Sequence, residues 1–289
     1  MCGIVGLHLR DPELYPRLGT LLESMLCGVV ERGPDSAGVA VYGDTRRVPA
    51  GHAAVSVLLP PDADTSVLDA LVTRAGDTTV VAAPVAPEDL VARVTAAFPS
   101  AVVVGAGREL TVYKGTGHPR DLAATYDLAG ASGWQGLAHT RMATESAVVP
   151  EGCHPFSVGP DQCLVHNGSF SNHASIRRDL AREGVRFDSD NDSEVGARYV
   201  ASRLAQGEDL EKALLGLRET FDGFYTLLVT SADGFAVVRD PIACKPAVIA
   251  ETEAWVAMAS EFRALAPLPS IDSARLYEPE PGRVYAWRR

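Results

Sequence analysis

The sequence predicts an α+β fold in which two stacked sheets lie between outer layers of helices. Short apolar strand runs occur before and after a central group of helical segments, and turn residues such as Asp240-Pro241 separate the later strands. The chain of 289 residues is long enough to bury a full core. We therefore expect one domain over residues 1–289 that contains an inserted segment.

The first 43 residues alternate between strand and helix patterns. Residues 1–9 are typical of a strand, and residues 16–30 of a helix with an apolar face. A turn-rich loop over 32–38 then leads into a strand at 39–42. This segment supplies the first elements of the predicted layers.

Residues 44–98 predict a small α/β insertion. Valine-rich runs at 53–59 and 78–82 favour strands, whereas 67–74 and 87–97 favour helices. Two apolar runs follow, at 102–104 and 110–113, and the glycines between them indicate a hairpin.

The rest of the chain predicts grouped helices with strands on either side. Helices are expected at 119–126, 175–183, 193–206 and 210–220, and strands at 135–139, 162–166, 224–230, 235–240, 247–250 and 255–259. This order is the basis of the layered fold prediction.

The composition limits the kind of partner and cofactor. A net charge of −11 disfavours binding to a phosphate backbone, so we expect no nucleic-acid partner. The sequence contains no run of 18 apolar residues and no signal-peptide pattern, which predicts no membrane association and a cytoplasmic location. Five cysteines without paired spacing indicate reduced thiols, and Cys153-His154 with Cys163 and His166 fits no common zinc pattern, so we expect neither metal nor cofactor.

Cys2 is the residue that most directly indicates chemistry. Removal of Met1 would leave Cys2 at the free N-terminus, where its own α-amine, with a pKa near ~8, can act as the base for its thiol. An ordinary buried cysteine is the alternative, because residues 4–7 are typical of a strand.

Arg141 directly follows a predicted strand, in the run Ala-His-Thr-Arg-Met-Ala-Thr. Its planar guanidinium could hold a carboxylate through two parallel hydrogen bonds. A surface ion pair is the alternative, since most arginines are exposed.

Asn167 and Gly168 follow another predicted strand. An amide side chain beside a glycine N–H can form an oxyanion hole, in which both donors face a tetrahedral intermediate. The alternative is a hairpin turn, for which Asn-Gly is the strongest short signal.

Asp192 and His154 complete the candidate residues. Asp192 precedes an apolar-periodic helix, where one of Asp190, Asn191 and Asp192 should cap the helix, and a carboxylate facing a cleft could also bind an ammonium group. His154 stands before a proline, where a structural role competes with a catalytic one.

Together and in this order, the motifs resemble those of class II glutamine amidotransferase domains, which belong to the N-terminal-nucleophile hydrolase superfamily. The resemblance rests on Cys-Gly-Ile-Val-Gly, Arg-Gly-Pro-Asp-Ser-Ala-Gly, His-Thr-Arg-x-Ala-Thr, His-Pro-Phe, His-Asn-Gly and Asp-Ser-Glu, and it spans most of 1–43 and 134–260. It implies a four-layer αββα sandwich of two antiparallel sheets with flanking helices. It also implies hydrolysis of L-glutamine to glutamate and ammonia.

The resemblance implies a catalytic role for four residues. Cys2 would be the nucleophile that forms a thioester, and its freed α-amine would be the base. Asn167 and Gly168 would form the oxyanion hole. Arg32 would support the catalytic cysteine.

The resemblance also implies a glutamine pocket. Arg141 would hold the α-carboxylate and Asp192 the α-ammonium, while Thr144 and His154 would line the pocket. Glu145 departs from the family pattern, and its carboxylate could repel the carboxylate of glutamine or reshape the mouth of the pocket.

The ammonia acceptor is expected to be a separate synthase subunit, because no synthase domain is recognised before Arg289. This organisation resembles the stand-alone amidotransferase subunits of glutamate-synthase-like systems, including N-methylglutamate synthase. Two other functions stay open on the sequence alone: an N-terminal-nucleophile hydrolase of another γ-glutamyl amide, and a non-catalytic module that senses glutamine.

Overall fold

The computed structural model describes residues 2–142, 148–157 and 159–289. Within these ranges the strands are β1 (Gly3–Leu9), β2 (Ser36–Tyr42), β3 (Ala53–Leu58), β4 (Leu71–Ala75), β5 (Thr78–Ala83), β6 (Val102–Gly107), β7 (Leu110–Thr116), β8 (Gln135–Arg141), β9 (Gln162–Phe170), β10 (Gly223–Ser231), β11 (Gly234–Arg239), β12 (Val248–Glu251), β13 (Trp255–Ala259), β14 (Arg275–Tyr277) and β15 (Val284–Arg288). The helices are α1 (Leu18–Cys27), α2 (Pro87–Ala97), α3 (Pro119–Thr125), α4 (His173–Arg182), α5 (Asp192–Ala205) and α6 (Leu210–Thr220). None of these helices is long and apolar enough to cross a membrane.

Two antiparallel sheets form the centre of the molecule. The first has seven strands in the order β14-β12-β13-β1-β8-β2-β7, and the second has four in the order β15-β11-β10-β9. Apolar side chains from both sheets meet between them, among them Ile4 and Leu137 from the first and Leu228 and Phe235 from the second. Because alternate residues of a strand face opposite sides, each sheet also presents a second apolar face to a helix layer.

Helices cover both outer faces. α1 and α3 pack on the first sheet, where Leu18, Leu22 and Met25 are fully buried. α5 and α6 pack on the second sheet, and α4 packs against α5. The order helix, sheet, sheet, helix confirms the predicted four-layer αββα sandwich.

A third sheet, in the order β4-β5-β3-β6, carries α2 on one face. Two buried hydroxyl groups attach it to β7: Ser56 Oγ accepts from Val112 N at 2.9 Å, and Thr78 Oγ1 accepts from Lys114 N at 2.9 Å. This sheet extends to Gly107, beyond the predicted end of the insertion at about residue 98.

Two local predictions in this region are wrong. The expected helix at 67–74 is instead a short 3-10 turn followed by β4, which pairs along its length with β5. The expected hairpin at 102–113 does not form, because β6 pairs with β3 while β7 pairs with β2 in another sheet. In both cases pairing with distant strands determines the structure, which local periodicity does not register.

Candidate active site

Cys2 lies immediately before β1, at the edge of the layer between the two sheets. Its carbonyl oxygen accepts from Arg32 Nε at 2.9 Å and from Asn167 Nδ2 at 3.1 Å. Arg32 also pairs with Glu261 at 2.8 Å. A Cβ on Gly3 would lie 2.7 Å from Val29 Cβ, so only glycine lets the chain enter β1 at this depth.

The environment of the Cys2 thiol favours its ionised form. Burial alone would raise the pKa, but a hydrogen bond with His139, the charge of His139 and a backbone contact at Met142 lower it to about 7. Since the thiolate is the nucleophile, a large fraction of Cys2 is reactive at neutral pH.

Asn167 and Gly168 lie inside β9, so the alternative prediction of an Asn-Gly turn is wrong. The ladder to β10 continues through both residues, which pair with Thr226 and Tyr225. Gly168 has φ +146°, and a Cβ there would lie 2.0 Å from the carbonyl oxygen of Phe224. Asn167 is buried and Gly168 is exposed, so β9 reaches the surface at this point.

Three buried histidines extend from Asn167 toward α5. His139 Nε2 lies 3.0 Å from Asn167 Oδ1, and its ring centroid is 4.1 Å from that of His154. The centroids of His154 and His166 are 6.5 Å apart. His139 and His166 belong to the sequence motifs, but the motifs alone predict no role for them. The structure shows that both are buried beside the candidate site.

Two of these histidines are held neutral. Burial is the main reason that the pKa of His154 lies well below its usual range, and the nearby His139 and His166 lower this pKa further. Burial lowers the pKa of His166 to about 4, although the Asp192 carboxylate acts in the opposite direction. Across the described ranges, no three histidine, cysteine or acidic side chains are arranged to hold a metal ion.

Arg141 is the last residue of β8 and is only 8% exposed, so the prediction of an ordinary surface arginine is wrong. Its carbonyl oxygen accepts from Asp35 N at 3.2 Å. A Cβ on Gly33 would lie 2.5 Å from Arg141 N, which shows how closely the glycine-rich loop covers this residue. Burial under this loop follows from β8 continuing past the predicted strand end at residue 139.

Asp192 is the first residue of α5. The cap of this helix is Asn191, whose side chain accepts from Ser193 N at 2.9 Å, as one of the three alternatives predicted. Asp192 Oδ2 accepts from Phe170 N at 2.8 Å, and Oδ1 lies 3.9 Å from His166 Nδ1. Its carboxylate is therefore fixed beside the same strand that carries Asn167.

The structure brings some predicted residues into direct contact and leaves others apart. Cys2, Arg32 and Asn167 meet through hydrogen bonds, whereas His154 and Asp192 connect to them through the rings of His139 and His166. Thr144 and Glu145 lie outside the described residues. The arrangement places an acidic thiol beside a fixed amide donor, which is suited to forming and hydrolysing an acyl-thioester.

Comparisons with known proteins agree with this chemistry. A family model for the glutamine amidotransferase domain matches residues 139–267. The chain is 49% identical to the Glutamine amidotransferase-like protein GlxB of Rhizobium meliloti (strain 1021), which covers 99% of this chain and 98% of that protein. It is 30% identical to the Amidophosphoribosyltransferase of Methanocaldococcus jannaschii, with 62% of this chain and 38% of that protein covered.

A solved structure shows the same fold. The glutamine phosphoribosylpyrophosphate (PRPP) amidotransferase from B. subtilis matches with a TM-score of 0.64 at 18% identity, covering 99% of this chain. The chain spans 47% of that solved chain. Because the 49% identical relative is matched over nearly its whole length, the chain belongs to the glutamine amidotransferase family.

Proposed function

We propose that this enzyme hydrolyses L-glutamine to glutamate through a thioester on Cys2 and delivers the ammonia to a separate synthase subunit. The observation that carries the first part is the pairing of a thiol whose pKa is lowered to about 7 with the buried Asn167 amide, whose nitrogen lies 3.1 Å from the Cys2 carbonyl. A reactive thiol and a prepositioned donor are the two requirements of acyl transfer.

The proposed reaction uses these positions. After removal of Met1, the α-amine of Cys2 takes the thiol proton, and the sulfur attacks the side-chain carbonyl carbon of glutamine. The oxyanion receives hydrogen bonds from Asn167 Nδ2 and the Gly168 N–H, and the amide nitrogen takes a proton and leaves as ammonia. Water then attacks the thioester, which releases glutamate and restores the thiol.

Recognition of free glutamine requires one cation and one anion at its amino-acid end. Arg141, buried under the glycine-rich loop, is proposed to hold the α-carboxylate, since a guanidinium matches a carboxylate in a bidentate geometry. Asp192, fixed by Phe170 N, is proposed to hold the α-ammonium. Thr144 is proposed to line the same pocket, together with the neutral ring of His154.

The proposal of a separate acceptor rests on the lengths of the relatives. The relative named only as amidotransferase-like is matched over 98% of its length. The proteins named for phosphoribosyl chemistry are matched over 38% and 47% of theirs. A glutaminase of this kind needs an acceptor, and a synthase of the glutamate-synthase-like type would supply it on another polypeptide.

The glutaminase half is tested by measuring glutamate release from glutamine with protein whose Met1 removal is verified by mass spectrometry. Cys2→Ala should abolish turnover. Cys27→Ala is the matched control, because Cys27 is a half-buried thiol in α1 whose pKa is raised by burial, and it should leave turnover unchanged. Glutamine binding without release, or faster cleavage of another γ-glutamyl amide, would replace the proposal with one of the two alternative functions.

The acceptor half is tested by affinity purification of the tagged chain from its native cells. A synthase should be recovered with it, and adding that protein to glutamine labelled with 15N in the amide should move the label into a product. If the tagged chain is recovered in abundance and no synthase is recovered with it, the result contradicts a separate acceptor subunit.

A further inference from the structure

We propose that His139 is a positioning residue of this active site: its Nε2–H holds the Asn167 side chain with the amide nitrogen facing Cys2. The two atoms that meet, His139 Nε2 and Asn167 Oδ1, are 3.0 Å apart, and both side chains are buried. The inference rests on the function proposed above, because it concerns the oxyanion hole of that reaction.

The direction of this hydrogen bond follows from the other end of the amide. The carbonyl oxygen of Cys2 can only accept, so the amide atom 3.1 Å from it is the nitrogen, Nδ2. Asn167 therefore turns its oxygen toward His139, and that oxygen also only accepts. Consequently Nε2 of His139 carries a proton and is the donor in this contact.

Loss of this donor would release the amide from its orientation. Among the described residues, the remaining partner of Nδ2 besides Cys2 is Ser260 Oγ, at 3.4 Å, which is long for a hydrogen bond. An unpaired Oδ1 would lie in a buried site, where an unsatisfied acceptor is costly, so Asn167 would turn to find another donor. The nitrogen would then leave the position from which it can reach the oxyanion.

The same ring also affects the nucleophile, because His139 lowers the pKa of the Cys2 thiol. One imidazole thus acts on both the sulfur that attacks and the amide that stabilises the product of attack. Arg32 holds the Cys2 carbonyl and pairs with Glu261, and neither contact involves His139, so we expect Arg32 to keep its position when His139 is changed.

Packing fixes the plane of the His139 ring. The ring lies against His154 with an interplanar angle of 30°, and Phe156 meets the His154 ring edge-on with a centroid distance of 5.0 Å. The backbone of His154 is itself wedged against β2, since a Cβ on Gly38 would lie 1.9 Å from the His154 carbonyl oxygen. A ring held in this way keeps its donor directed at Asn167.

A second imidazole–amide pair provides a matched control within the same fold. His8 Nδ1 lies 2.8 Å from Gln135 Oε1, both residues are buried, and they lie at the opposite end of the β1–β8 ladder from Cys2. His8→Leu and His139→Leu therefore remove the same kind of buried contact. They differ in whether the contact adjoins the nucleophile.

The first test compares steady-state kinetics of the full chain with Met1 removed. His139→Leu should lower kcat by about 10- to 100-fold with KM within about threefold, because the oxyanion donor is misplaced while the groups that bind glutamine's charges are kept. His139→Gln, whose amide N–H reaches the Nε2 position, should recover most of kcat, and the shorter His139→Asn should not. His8→Leu should keep kcat.

Equal kcat in His139→Leu and wild type, or equal values for the Gln and Asn variants, would overturn the inference. Melting temperatures of all variants separate this outcome from a folding defect, since His8→Leu and His139→Leu should lose similar stability. A fall in kcat shared by both leucine variants would also count against positioning, because it would indicate a general structural effect.

The second test reads the thiol without turnover. Alkylation of Cys2 by iodoacetamide at pH 7, followed by peptide mass spectrometry, should be about tenfold slower in His139→Leu than in wild type or His8→Leu. Absence of glutamate release from wild type would defeat the proposed function alone, and the alkylation rates would still decide this inference. Equal rates in the two leucine variants overturn it.

Discussion

A buried imidazole–amide pair joins the two stacked sheets at each end of the β1–β8 ladder. The far pair is His8 with Gln135, whose nitrogen donates to the carbonyl of Ser231 in β10 at 3.0 Å. The site pair is His139 with Asn167, whose nitrogen donates to the carbonyl of Cys2 at 3.1 Å. In both pairs one nitrogen of the imidazole is buried and has no hydrogen-bond partner among the residues that the structure describes.

The difference lies in what each amide nitrogen faces. At the far pair it donates to a strand carbonyl of the second sheet, so this contact holds the two sheets together. At the site pair the amide nitrogen faces Cys2, which carries the thiol. The next residue in the strand, Gly168, is exposed at the surface. Similar polar pairs therefore serve structure or chemistry according to their neighbour, and the four predictions that follow test this distinction.

The largest effect is expected from removing the amides themselves. Asn167→Leu should lower kcat by about 10²- to 10³-fold, as loss of an oxyanion-hole donor does, and Gln135→Leu should leave kcat within about twofold. Both should reduce the free energy of unfolding by roughly 1–3 kcal/mol, because each leaves a buried partner unsatisfied. Glutaminase kinetics and urea unfolding check these values, and a comparable loss of kcat in Gln135→Leu would contradict the distinction.

A second comparison uses the glycine that follows each amide. Gly168→Ala should cost several kcal/mol, because φ is +146° and the new Cβ would meet the Phe224 carbonyl oxygen at 2.0 Å. Gly136→Ala should cost less, roughly 1–3 kcal/mol, since its Cβ would meet the movable Leu22 side chain at 2.6 Å. Only the first should also reduce kcat. Thermal unfolding measures the stability difference, and equal losses would show that the backbone at Gly168 is not strained by a side chain.

The histidines near the candidate site should contribute more to the pH dependence of the free energy of unfolding than His8 of the far pair. His154 and His166 are neutral in the folded protein because burial lowers their pKa, to about 4 for His166, while in the unfolded chain they bind protons below about 6.5. The unfolded state thus holds more protons as pH falls, and stability present above about 6.5 is lost between about 6.5 and 4.

Each such histidine contributes up to ~1.4 kcal/mol per pH unit. Urea unfolding at pH 7, 6 and 5 should show a smaller slope for His166→Gln than for wild type. The far histidine, His8, has a pKa that burial also lowers, so His8→Gln should flatten the curve as a separate contribution. An unchanged slope in His166→Gln would mean that this ring is not neutral in the folded state.

The smallest effect is expected from two serines near the amide nitrogens. Ser260 Oγ accepts from Ile4 N at 2.9 Å, so Ser260→Ala should cost about 1 kcal/mol and lower kcat a few-fold through Asn167. Ser231→Ala should be close to neutral, since Gln135 binds the backbone oxygen of Ser231 and not its hydroxyl. Kinetics of both variants provide the measurement, and a larger loss in Ser231→Ala would reverse the expected order.

Strongly periodic segments could be predicted from the sequence in detail. The helix expected at 87–97, the helix at 210–220 and the strand at 255–259 have the expected bounds. Each carries its own pattern of apolar residues, so its structure does not depend on knowing the partner. The layered arrangement followed from their order.

Features set by distant pairing could not be predicted in this way. The Asn-Gly signal at 167–168 was overridden by continuous pairing with β10, and the helical pattern at 67–74 by pairing with β5. Cys2 and Asn167 are 165 positions apart in the chain and meet only because the two sheets stack. The identity of the candidate residues came from their motifs, but the orientation of the Asn167 amide and the His139 contact needed the three-dimensional structure.

The two hydroxyl groups that attach the third sheet to β7 have a consequence for protein engineering. A shortened form of this enzyme made by excising residues 44–98 would lose Ser56 and Thr78 and leave the amides of Val112 and Lys114 without these acceptors. It would also remove β3 and so leave β6 without its partner strand. Lys114 carries its ammonium group 4.4 Å from the ring of Phe156, next to His154, so the deletion would change the packing close to the candidate active site. A shorter scaffold would have to supply polar groups at those two places before its loops were redesigned.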